Sequence, residues 1–188
     1  MKVEFRKTGL RRYGVFVERE QAPALWMDPA PGYDDFLPHD VLHFVAEAEW
    51  GLDGAVFGQL AAGGDADAFI PADRELIAKA MRERRRQKRL RGRPRGRRSE
   101  LLAGILEHAW HARRSGTPLP ADWDERLAAA RVEPERLERV VAGLDELAER
   151  WHVLHVGESV TLEWPRPEGR RARRTAPARR AATARRSR

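Results

Sequence analysis

Cysteine is absent from all 188 residues, so neither a disulfide nor a thiolate metal ligand contributes to fold or chemistry. Lysine is scarce as well: thirty-two arginines stand against four lysines. With alanine, glycine and proline abundant, that is the bias a GC-rich genome imposes on any sequence, so arginine enrichment alone is weak evidence of function. No apolar run is long enough to cross a bilayer, and the first residues, Met1 to Lys7, have no apolar signal region. The expectation is a soluble cytoplasmic protein. Strand–loop–helix phosphate loops and nucleophilic triads are missing too. Gly63-Gly64 lacks the setting of the first, and Ser99, Ser115 and Ser159 fall at expected caps or turns.

Charge is present but unevenly placed. Residues 82–98 hold eleven basic side chains and one acid, and residues 166–188 hold ten arginines and one acid. Against a formal net charge of +7, these two segments at +10 and +9 leave −12 for the rest. The body is therefore acidic, with two cationic segments attached.

Hydrophobic periodicity sets the expected fold. Val3 and Phe5, then Tyr13, Val15 and Val17, alternate about Thr8-Gly9 and predict a β-hairpin over 2–20. Residues 22–37 read as a connection rich in proline. Helices are expected from Pro38 to a stop at Gly51, over 55–62, from Pro71, from a Ser99 N-cap, through Trp123 and Leu127, and behind Pro134. Val160, Leu162 and Trp164 return to period two and predict a strand able to join the hairpin. The expected class is α+β: a single, mainly helical domain over 1–165, with a small antiparallel sheet built from the N-terminal hairpin and a C-terminal strand. The domain carries an arginine-rich segment at 82–98, and 166–188, with almost nothing apolar larger than alanine, reads as a disordered tail. No internal repeat is evident.

The chemistry-bearing run is His39-Asp40-x-x-His43-x-x-x-Glu47. His39, His43 and Glu47 fall at i, i+4 and i+8 on the expected helix, and Asp40 precedes Glu47 by seven. Nitrogen and oxygen donors grouped on one helical side suit zinc, iron or manganese. One helix leaves such a site incomplete. His108, in register with Leu101 and Ile105 on the helix after Ser99, is the candidate to complete it. If the site is catalytic, a metal-activated water is the simplest chemistry, with Glu47 as base should it not be a ligand. The same residues also fit a solvated polar face, with Asp40 complementing the helix dipole and His43 with Glu47 as a surface pair. A buried, hydrogen-bonded histidine is a third reading. Neither His152 nor His155 is assigned a catalytic role.

The second motif is Arg91-Gly92-Arg93-Pro94-Arg95. It resembles an AT-hook, in which glycine permits close approach and flanking arginines enter the narrow minor groove of AT-rich DNA. That resemblance implies nucleic acid as a partner, through these five residues and the basic tail. General polyanion affinity by counterion release is the less specific form of the same idea. Neither basic segment contains an aromatic residue, which argues against stacking on single strands. The helix behind Pro134, with Glu133, Glu135, Glu138, Asp145, Glu146 and Glu149, is too acidic to be a DNA-recognition helix.

Two further likenesses attach to the first motif. Leu37 to Glu47, with Gly51-Leu52, Phe57-Gly58, Leu60-Ala61 and the ending Trp151 through Trp164, resembles a group of small bacterial proteins of unassigned activity that share an HDxxHxxxE helix. More distantly, His39-Asp40-x-x-His43 is similar to the metal-binding HDxxH motif of coenzyme Q biosynthesis proteins. By that likeness His39, Asp40 and His43 would be ligands. Where that family has a glutamate farther along, this chain has Ala55, and Glu47 would have to substitute.

Overall fold

A computed structural model describes residues 1–66, 68–73, 75–78 and 96–165. The AT-hook-like Arg91–Arg95 and the segment 166–188, expected as a tail, lie outside the described residues.

Strands β1 (Lys2–Gly9) and β2 (Arg12–Glu18) form the predicted hairpin. Its register sets Val3 opposite Val17 and Phe5 opposite Val15 on one buried face, which Lys7 opposite Tyr13 extends with a single charged side chain. Strand β5 (Ser159–Glu163) runs antiparallel along the other side of β1, with Val160 opposite Phe5. The C-terminal strand therefore does close onto the N-terminal hairpin. Two short strands, β3 (Leu25–Met27) and β4 (Ile70–Pro71), complete a five-stranded sheet in the order β4-β3-β2-β1-β5. Every neighbouring pair is antiparallel. Three and two residues are too few for alternation to register, so the sequence did not announce them. The expected helix start at Pro71 is corrected accordingly. Pro71 lies on the edge strand, where its missing N–H costs no ladder bond, and helical residues begin at 75.

Helices α1 (His39–Trp50), α2 (Val56–Ala61), α3 (Arg97–Ser115), α4 (Trp123–Ala130) and α5 (Pro134–His152) supply the second layer. The class is α+β, as expected. Aromatic edges join the layers: Phe5 on β1 meets Phe44 on α1 at 6.2 Å and Phe57 on α2 at 6.3 Å. Phe44 and Phe57 stand 5.3 Å apart, and Tyr13 on β2 meets Trp151 on α5 at 5.9 Å. Each such side chain, fully buried, contributes about 1.5–3 kcal/mol from desolvation. This packing anchors α1 on the sheet while α3 lies along its other side. Among the described residues, no helix is long and apolar enough to cross a membrane.

Candidate metal centre

Helix α1 buries more than its apolar stripe. Val41, Leu42, Phe44 and Ala46 are buried, and so are His43 and Glu47. The solvated-face alternative therefore fails at His43 and Glu47, which lie in a polar seam between α1 and α3. On α3 the matching face is Ser99, Leu102, Ala103, Leu106 and Trp110, a stripe at i, i+3, i+4, i+7 and i+11. Ser99 is its one polar member. It was expected to cap α3, but the helix starts at Arg97 behind Gly96, and Ser99 makes no cap bond. Its hydroxyl instead turns into the seam. The Oγ lies 2.8 Å from Glu47 Oε1 and 2.8 Å from His43 Nδ1.

Glu47 is fully buried and completely committed. Its Oε2 accepts the backbone N–H of Phe57 at 2.7 Å and of Gly58 at 3.1 Å, and Oε1 accepts that of Val56 at 3.2 Å. With Ser99, four donors converge on two oxygens. Burial pushes this carboxyl up to about 7, while the Ser99 hydroxyl and the three backbone donors pull it back. Phe57 and Gly58 thus hold the glutamate of α1 through their backbone N–H groups. Gly58 has no room for a side chain, because a Cβ would collide with the Leu52 carbonyl and the Asp53 backbone. Glu47, expected as a ligand or a base, secures α2 to α1 and faces no open space.

Asp40 is also turned elsewhere. The Tyr13 phenol lies 2.5 Å from Asp40 Oδ2 and 2.5 Å from the Pro31 carbonyl. A single phenolic proton serves one acceptor well, and a proton on Asp40 lets both contacts be hydrogen bonds. Burial raises the Asp40 carboxyl above its usual range, in agreement with that arrangement. Asp40 thereby ties the start of α1 to β2 and to the loop before it. His108, expected to complete the site, sets Nδ1 2.6 Å from the Gly104 carbonyl of its own helix. Neither residue belongs to the donor group that the fold assembles.

That group is His39, His43 and Glu100, whose donor atoms all lie within 4.8 Å of one another. Among the described residues it is the one such cluster of three. His43 Nε2 stands 3.0 Å from His39 Nε2 and 3.5 Å from Glu100 Oε2. Ligands about 2.1 Å from a divalent ion sit roughly 3.0–3.4 Å from one another, in octahedral or tetrahedral order respectively. The two separations from His43, 3.0 Å and 3.5 Å, lie close to that spacing, and all three donor atoms fall within 4.8 Å of one another. Two imidazoles and a carboxylate suit zinc, iron or manganese, so the group could hold one such ion. His43 is buried, His39 half-buried and Glu100 exposed, so the donors run from the seam to the surface. Burial holds the His43 imidazole below its ordinary value; Glu100 and Glu107 oppose that and His39 adds to it. A neutral imidazole is the form that coordinates metal.

A cavity of about 180 Å³ opens beside this group, with His39, Leu42, Glu107, Trp110 and His111 in its wall. Gly32 shapes its rim. The φ of +72° and the closeness of the His39 Cβ leave no space for a side chain there, and the Gly32 carbonyl accepts the His39 N–H at 3.1 Å. A larger hollow of about 380 Å³, lined by Val45, Glu49, Val140 and Leu147 among others, shares no residue with the donors. Sequence pattern marked Ser99 only as a cap and did not mark Glu100, since the packing of α3 on α1 alone brings them to His43. A signal did exist: Ser99 is the lone polar residue on an apolar stripe, and Glu100 follows it directly. Compared with known proteins, the chain matches no family model, no curated protein and no solved structure.

Proposed function

We propose that this chain is a divalent-metal-binding domain whose ion is held by His39, His43 and Glu100. The observation that carries the reading is the convergence of these donors from two helices, all within 4.8 Å of one another. Three protein ligands leave a coordination position open, which is the arrangement of catalytic rather than structural sites. The cavity at His39 gives that position somewhere to face. On this basis the domain is a metal-dependent enzyme acting on a small molecule. An ion in such a site polarises a bound oxygen and brings the pKa of a coordinated water down to about 7. Glu107, in the same cavity wall, takes the part of proton acceptor that Glu47, fully engaged behind the seam, does not fill.

The test is elemental analysis of protein purified without chelators, beside His39→Ala/His43→Ala and Glu100→Gln. The expected result is near-stoichiometric metal in the parent, none in the double variant, and weakened retention in Glu100→Gln. Helical content by circular dichroism stays unchanged in all three. A metal-free parent that regains nothing from zinc, iron or manganese overturns the proposal.

A further inference from the structure

The Ser99 hydroxyl stands at 2.8 Å from two groups, and its single proton decides the state of both. Above its raised value of about 7, Glu47 is ionised, receives four donors on two oxygens, which is its full capacity, and has no proton to donate. The hydroxyl proton therefore goes to Glu47 Oε1. Ser99 Oγ then meets His43 as an acceptor, and the hydrogen in that contact belongs to Nδ1. With Nδ1 protonated on a neutral ring, Nε2 carries the lone pair. It is Nε2 that faces His39 and Glu100.

We propose that Ser99 and Glu47 are positioning residues that fix His43 as its Nδ1–H tautomer and so aim the Nε2 lone pair into the donor group. The proposal rests on the metal reading for its purpose but not for its geometry, which the metal-free chain already contains. It gives the HxxxHxxxE spacing a second meaning. The glutamate one turn beyond the second histidine reaches that histidine through a serine of another helix and touches no ion. Tautomer control by the partner of the distal ring nitrogen is the general means by which metal-binding histidines are oriented, and loss of such a partner weakens metal binding by roughly 10–100-fold. Ser99 is the clean place to cut the relay. Its removal leaves Glu47 its three backbone donors and α2 its anchor.

The experiment is ¹⁵N NMR of the histidine rings in metal-free, full-length protein at about pH 8, where imidazole is neutral, together with calorimetric titration by zinc alone. The expected result is Nδ1–H for His43 in the parent, loss of that preference in Ser99→Ala, and zinc binding weakened roughly 10–100-fold in the same variant. Ser99→Thr, which keeps the hydroxyl, restores both. An Nε2–H tautomer in the parent overturns the proposal, and so does a Ser99→Ala protein that keeps Nδ1–H. Absence of zinc binding by the parent brings down the metal reading, and the parent's tautomer still decides the relay. Should Ser99→Ala fail to fold, the parent spectrum and Ser99→Thr carry the test.

Discussion

The two ends of one helical motif meet opposite fates. At the C-terminal end, Glu47 is fully buried and each oxygen accepts two hydrogen bonds, so its chemistry is consumed by the fold. At the N-terminal end, His39 is half-buried beside a cavity, and Glu100, arriving from α3, is exposed. His43 joins the two, with one nitrogen in each environment. A carboxylate with every lone pair filled is a structural part, whereas donors left facing one another are able to bind. Residue type and spacing did not distinguish these cases; the number of partners does.

The largest effect should fall on the structural end. Glu47→Ala strips three backbone N–H groups and Ser99 of their acceptor and opens a void. The expected loss of stability is about 3–5 kcal/mol by urea unfolding. A loss within 1 kcal/mol, roughly that of an ordinary surface change, would contradict the assignment. Gly58→Ala should follow at about 1–3 kcal/mol, because its Cβ meets backbone and not a yielding side chain.

A comparable effect is expected from pH. The folded Glu47 value of about 7 lies above the ordinary 4.5. Its stabilising contribution is therefore complete below the ordinary value and is lost as pH rises through about 7. Glu47→Gln cannot titrate, so its stability relative to the parent should climb by about 1–3 kcal/mol from roughly pH 4 to pH 8. A flat difference would mean that the four donors hold Glu47 ionised throughout. His43 works the other way, because its value is lowered: its contribution is present above 6.5 and lost as pH falls.

The smallest stability effect belongs to the open end. In metal-free protein, His39→Ala should change stability by less than about 1 kcal/mol, while removing metal retention. If His39→Ala and Glu47→Ala destabilise equally, the contrast between the two ends is lost.

The same contrast explains what the sequence made legible. The hairpin, β5, α3 and α5 were legible because each carries several turns or alternations of apolar residues, although α3 buries the stripe through Ser99, Leu102 and Leu106 and leaves Leu101 and His108 half-buried. The two-residue β4 and three-residue β3 owe their pairing to neighbouring strands and had no pattern of their own. His39 and His43 were recognisable as donors by type and spacing. Glu100 was not, because only the packing of α3 along α1 brings it within 3.5 Å of His43. Asp40, Glu47 and His108 looked equivalent to the donors in sequence. Tyr13, the α2 backbone and the Gly104 carbonyl, all set by the fold, engage them instead.

The most direct test of the central claim is anomalous diffraction from crystals grown with zinc. One strong peak is expected about 2.1 Å from His39 Nε2 and His43 Nε2, with Glu100 as the third protein ligand and the open side toward the cavity. A peak bound by Glu47, Asp40 or His108, or no peak between α1 and α3, would contradict it.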